Sequence, residues 1–197
     1  MEKLLTFLLL AVAWAGCQTN PPHALPTYAA DGRLQAYIEM PAGSAAPQYY
    51  HPSRGKIERD TARAPFLLPL PGNLGFIPST DRSSLSGYQG QALSVLVVCS
   101  SLPAGTILPV EVIGVILLQR QGEEEPFLIA VPAEPNLRSL PARDYRDLTI
   151  QFQAAKYVLE RWFLEFAFPG QVGSLEWRDE LYGRGLVEKY RIAPLER

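Results

Sequence analysis

A chain of 197 residues with a net charge of −2 is long enough for one domain with a sizeable core, and nothing in its charge draws it toward nucleic acid. Eighteen prolines and fifteen glycines favour a loop-rich, β-containing fold over a helical bundle. The sequence contains no internal repeat and no basic patch interleaved with aromatics.

At the N-terminus an apolar run, residues 4–14, follows Lys3 and is too short for a permanent membrane span. Ala15-Gly16-Cys17 comes directly after it, an order that resembles a bacterial lipoprotein signal. The resemblance implies cleavage ahead of Cys17, a lipid on that cysteine, and an extracytoplasmic domain held to the cell envelope. Gln18, standing where an aspartate is linked to inner-membrane retention, favours the outer membrane. The other reading is an ordinary secretory signal with an incidental cysteine. The chain thus divides into a signal (1–16), a Pro-rich polar tether (17–32) and a domain (33–197). With Cys17 lipidated, Cys99 is the remaining thiol; it ends an apolar strand and is expected to be buried and inert.

Residues 33–40 alternate, with Leu34, Ala36, Ile38 and Met40 on one side, and predict a half-buried strand ended by Pro41. Residues 48–51 and 56–60 predict two further short strands around a turn at Arg54-Gly55. Residues 68–80 carry too many prolines for a central strand and read as an extended, turned connection. A polar loop, 81–90, leads to the Val-rich run 91–99, a buried strand. Residues 107–118 predict a long strand bent at Gly114. An acidic hairpin turn at 119–126 then leads to a strand at 127–131.

The period then changes. From 144 to 166 apolar residues fall at Leu148, Phe152, Ala155, Leu159 and Trp162, widened by Ile150, Val158 and Phe163. This predicts one helix, capped by Asp144 and stopped by Pro169-Gly170, with its aromatic stripe packed as core. A closing strand at 175–177 and a weaker helix at 178–192 complete the chain.

The order of several segments resembles the soluble inorganic pyrophosphatases. Tyr37-Ile38-Glu39-Met40-Pro41 matches that family's first strand, and Pro71-Gly72-Asn73-Leu74-Gly75-Phe76-Ile77-Pro78-Ser79-Thr80 its proline-asparagine segment. Pro103-Ala104-Gly105-Thr106-Ile107, Val112-Ile113-Gly114-Val115 and Leu128-Ile129-Ala130-Val131-Pro132 follow in order. The resemblance implies an α+β fold, a five-stranded OB-like β-barrel flanked by C-terminal helices. It also implies pyrophosphate hydrolysis with magnesium ions held by convergent carboxylates, and cationic side chains on the phosphate oxygens.

Residue by residue, the carry-over is thin. Glu39 keeps the family's first-strand glutamate, while two positions of its K-Y-E motif become Gln48 and Tyr50. The next arginine falls on Thr61 or Ala62, with Arg63 adjacent. Two tyrosines become Leu70 and Leu74, and the aspartate triad becomes Gln89, Gln91 and Ser94. In the hairpin the two metal-site aspartates become Arg120 and Glu125, and a lysine becomes Phe127. Lys156 keeps the helix lysine, its tyrosine partner falling on Ala155 beside Tyr157.

Glu39, Glu125 and Lys156 are therefore the functional types left in register, with Glu39 and Glu125 as weak metal candidates. His23, in the tether, and His51 form no metal-binding cluster. No G-x-S-x-G, Walker-type or Rossmann glycine pattern is present. The leading expectation is a lipid-anchored, non-hydrolytic binding or structural module, without cofactor, meeting a small anion or an envelope protein. The alternative is an inorganic diphosphatase or related phosphohydrolase with residual Mg2+-dependent activity.

Overall fold

The two longest strands among the described residues pair with each other. Strand β6 (Ile107–Arg120) and strand β7 (Glu123–Pro132) form an antiparallel hairpin from Val110↔Pro132 to Arg120↔Glu123. Two residues make the turn, Gln121 at φ 53° and Gly122 at φ 84°. Positive φ at both positions suits a tight turn that continues the twist of the strands, so the expected longer acidic turn (119–126) is mostly strand. The register slips between Val112 and Gly114, which bends β6 at the expected glycine.

The computed structural model describes residues 21–83 and 91–192; the signal, Cys17 and Gln89 lie outside them. The remaining strands are β1 (Leu34–Met40), β2 (Gln48–His51), β3 (Lys56–Arg59), β4 (Asn73–Ile77), β5 (Leu93–Val97) and β8 (Val172–Arg178). The main sheet runs β1-β4-β5-β7-β6-β8, with β5 parallel to β7. Strand β1 pairs also with β6, through Leu34↔Val110 to Tyr37↔Ile107, so the ladder of the OB-like fold runs back onto its first strand. Strands β2 and β3 form a separate hairpin.

One expectation fails at β4. Residues 73–77 are a central strand between β1 and β5, not an irregular connection. Pro69, Pro71 and Pro78 bracket the strand without entering it, so every ladder N–H is present. Asn73, wholly buried, fixes its start. Its Oδ1 accepts from the Ala42 and Leu102 amides at 2.9 and 2.8 Å, and its Nδ2 donates to the Ser100 carbonyl at 3.1 Å. Cys99 is buried beside it, and burial pushes its thiol pKa up, as befits an inert cysteine.

Side-chain alternation divides the core into two faces. Ile38, Val95, Val97, Val115, Leu117, Leu128 and Ala130 pack on helix α3 (Glu180–Tyr190) through Leu186, Val187 and Tyr190. Met40, Leu96, Ile116, Leu118, Phe127 and Ile129 pack on the opposite face. That face is covered by helix α1 (Tyr145–Ile150), helix α2 (Gln153–Arg161) and a π-turn, Trp162–Ala167.

The single helix expected over 144–166 is thus broken. Asp144 does cap it, accepting from the Asp147 amide at 2.7 Å. The Asp147 carbonyl, however, receives both the Gln151 and Phe152 amides, and Phe152 leaves helical geometry at ψ 38°. The break re-aims the second half, so that Leu148, Leu159, Trp162 and Phe163 are buried while Ile150 and Val158 stay exposed.

Order begins ahead of Arg33. Residues 21–32, expected as tether, lie against the domain through a turn at Pro22–Ala24 and a Tyr28↔Leu34 bridge. The Thr27 hydroxyl donates to the Pro78 carbonyl at 3.0 Å. Prolines with preset φ reduce the entropy lost on docking, and composition alone does not reveal such partners.

Candidate active site

On the face opposite α3, a cavity of about 480 Å³ lies between the sheet, the β2–β3 hairpin and the π-turn. The sheet builds its floor. Tyr37↔Phe76, Phe76↔Ser94 and Ser94↔Phe127 form one row across β1, β4, β5 and β7. Ser94 thereby separates two aromatic clusters, one around Tyr37, Tyr50 and Phe76 and the other around Phe127, Trp162 and Phe163.

Glu39 enters this cavity because β1 is irregular. Ile38 pairs with Gly75 and Met40 with Leu74, which leaves Glu39 as the extra residue of a bulge. Bulges re-aim side chains beside functional sites. The Glu39 carboxylate accepts from the Tyr50 amide at 2.6 Å, which ties β1 to the outer hairpin. Burial raises its pKa to about 7, opposed by that hydrogen bond and by the Arg63 charge.

Seven of the predicted residues meet here: Glu39, Gln48, Tyr50, Gln91, Ser94, Glu125 and Phe127 all line the cavity. Lys156 lies outside the lining, with its ammonium 4.9 Å from the Trp177 ring and 5.5 Å from that of Tyr145. Tyr157 is 63 % exposed, and His51 shares a hydrogen bond with Ser53 outside the cavity.

The structure adds residues that the sequence did not single out as a site. Arg82, 1 % exposed, lines the cavity and donates to Gln91 Oε1 at 3.1 Å. Arg63 lines it too, its Nε 3.3 Å from Asp60. His23 stacks on Phe76 at 4.2 Å, and burial lowers its pKa, so it is neutral at pH 7. Arg63 stood beside the expected arginine position and offered a signal; Arg82 and His23 offered none.

At the aromatic end, charges cancel locally. Arg120 Nε donates to Glu125 Oε2 at 2.9 Å, and its guanidinium lies 3.8 Å above the Phe168 ring. The side chains are 16 % and 8 % exposed, so removing one partner leaves a charge with little solvent. Arg120→Met is expected to destabilise the fold by about 3 kcal/mol. Adding Glu125→Gln should recover most of that loss in urea denaturation.

The donor set does not fit resident magnesium. Octahedral Mg2+ needs several convergent oxygen ligands, usually charged. Of the carboxylates lining the cavity, Asp60 faces Arg63 and Glu125 faces Arg120, which leaves Glu39 without a second anionic ligand free to converge with it. Among the described residues, no three His, Cys, Asp or Glu side chains are placed to hold one ion.

Comparison with known proteins decides the ancestry. The family model described as inorganic pyrophosphatase matches residues 36–190, nearly the whole described domain. The chain belongs to the inorganic pyrophosphatase family. A curated inorganic pyrophosphatase from Halalkalibacterium halodurans is 32 % identical over 104 residues, which is 51 % of this chain and 59 % of that protein. The inorganic pyrophosphatase of Thermus thermophilus superposes with TM-score 0.69 at 26 % identity, covering 85 % of this chain and 95 % of its own. The type I inorganic pyrophosphatase from Toxoplasma gondii gives TM-score 0.72 at 19 % identity over 86 % and 84 % of the two chains, a likeness of fold.

These matches correct the leading functional expectation. They are to inorganic pyrophosphatases, and they favour the diphosphatase alternative over a non-hydrolytic lipoprotein module. The expectation rested on the lost aspartates, on the lysine and tyrosines replaced at Phe127, Leu70 and Leu74, and on export from the cytosol. The chain nevertheless has a cavity lined by a carboxyl group whose pKa lies at about 7 and by two guanidinium groups.

Proposed function

We propose that this chain is an inorganic diphosphatase or closely related phosphohydrolase, with Glu39 as its proton-transfer group. The observation that carries the reading is a family-wide match combined with one carboxyl group, pKa about 7, at the cavity floor. A group poised near the working pH takes a proton from attacking water and returns it with little driving force lost. Planar guanidinium groups at Arg63 and Arg82 suit phosphate oxygens, and Ser94 and Gln91 add neutral hydrogen-bonding groups between them.

No metal step is built into this reading. Magnesium is required, in this proposal, only as the counter-ion that arrives with pyrophosphate. The test is phosphate release from magnesium pyrophosphate by the full chain. Turnover above background supports the reading, and its absence at any magnesium concentration defeats it.

The segment ahead of Cys17 supports a second part of the proposal, that the enzyme works outside the cytoplasm with a lipid on that cysteine. Its order of apolar run, small residues and cysteine carries the argument. Intact-mass analysis of the protein from a bacterial envelope should give a chain starting at Cys17 with added acyl mass. An unmodified Cys17 would remove the anchor.

A further inference from the structure

We infer that the cavity accepts an organic diphosphate whose second substituent is a small hydrocarbon group, in preference to bare pyrophosphate. This rests on the phosphohydrolase reading above and names its substrate class.

Two observations lead there. The first is polarity: the cavity has two unlike ends on either side of Ser94. At one end Glu39, Arg63, Arg82 and Gln91 lie with the Tyr50–Phe76 cluster, Glu39 accepting from the Tyr50 amide and feeling the Arg63 charge, and Arg82 donating to Gln91 beside Ala92. At the other, rings run in contact from Phe66 to Trp162 (5.3 Å), Trp162 to Phe163 (5.2 Å), Phe163 to Phe127 (5.0 Å) and Phe127 to Phe168 (6.3 Å).

The second is the lack of polar handles at the aromatic end. Trp162 Nε1 already donates to the Leu68 carbonyl at 3.2 Å, and Glu125 is committed to Arg120. A nucleobase buried there would leave its own donors and acceptors unsatisfied, at a cost a hydrocarbon escapes.

Placed this way, the terminal phosphate meets the guanidinium groups and the hydrocarbon lies on the rings. Water's oxygen bonds to the terminal phosphorus and the bridging P–O bond breaks. The electron pair of that bond leaves with the organic monophosphate, and Glu39 takes the proton that water loses. Nothing is oxidised or reduced.

The test measures initial rates of the full chain with magnesium complexes of pyrophosphate, methyl diphosphate, pentyl diphosphate and adenosine diphosphate. Calorimetric titration of the same compounds accompanies it. Each buried methylene is worth about a fourfold gain in affinity, so pentyl diphosphate should show a KM or Kd at least tenfold below that of methyl diphosphate. Phe66→Ser, at a half-buried rim position, should shrink that ratio toward one. Phe168→Ala serves as a second rim variant should the first fail to fold. Equal values for the pentyl and methyl compounds overturn the inference, while pyrophosphate turnover in the same assay leaves the hydrolase reading standing. Tighter pentyl binding without turnover of any compound keeps the inferred amphiphilic site and removes the hydrolase. Preference for adenosine diphosphate over the pentyl compound also overturns the inference.

Discussion

Glu39→Gln is expected to slow phosphate release by about 10²–10⁴-fold and, at neutral pH, to make the fold more stable. Both effects have one origin. Burial raises the carboxyl pKa from an ordinary 4.5 to about 7, so the folded state holds the proton over a range in which the unfolded chain has lost it. Below about pH 4.5 both states are protonated and the group contributes no pH-dependent difference. As pH rises toward 7 the unfolded chain gains from ionisation first, and the wild type loses stability; above 7 the loss is complete. At 1.36 kcal/mol per unit, a shift of this size is worth up to about 3 kcal/mol.

Glutamine escapes that loss because it does not titrate, and its amide oxygen still accepts from the Tyr50 amide. Denaturant melts of both proteins at a series of pH values should therefore diverge between about 4.5 and 7 and run parallel above it. The wild-type rate profile should show a limb near 7 that the variant lacks. His23, the neutral ring across the cavity, has its pKa lowered below 6.5 and does not supply that limb. A stability gap that ignores pH would disprove the assignment of Glu39 as the titrating group.

Gly75→Ala is expected to unfold the domain or cost more than about 4 kcal/mol, beyond the ordinary range for one substitution. Gly75 pairs with Ile38 across the β1–β4 ladder, beside the bulge. A Cβ there would overlap the Tyr37 carbonyl oxygen and lie 2.8 Å from its carbon and 3.0 Å from the Ile38 Cα. All three are backbone atoms, so no change of rotamer relieves the clash. The strands would have to part beside the Glu39 bulge, which removes the site along with the fold. Circular dichroism and thermal melts check this; an alanine variant melting within a few degrees of wild type would show that the close approach is not real.

Much of the architecture follows from local pattern. The valine-rich and alternating runs at 34–40, 93–97, 107–118 and 127–131 were readable as strands because period-two burial is written in consecutive residues, whereas the strand ends inside 119–126 were expected as turn. The Asp144 cap was readable for the same reason. Strand β4 was not, because its prolines sit at its borders and a composition argument counts them as interior. The break at Phe152 was not, since it depends on how the Asp147 carbonyl is shared and on which face the sheet offers. The docking of residues 21–32 was hidden by a composition that also describes a linker.

By itself the sequence determined the family, the order of most of the strands and the identity of Glu39 as a retained carboxylate, since these depend on residue type and spacing along the chain. Only the tertiary structure decided what surrounds that carboxylate. It brought in Arg82, Arg63 and His23 from distant segments, left Lys156 outside the cavity, and paired Arg120 with Glu125 at the hairpin positions where the resemblance puts two aspartates. Charge, burial and pKa depend on distances through space, and contacts between residues far apart in the chain set those distances.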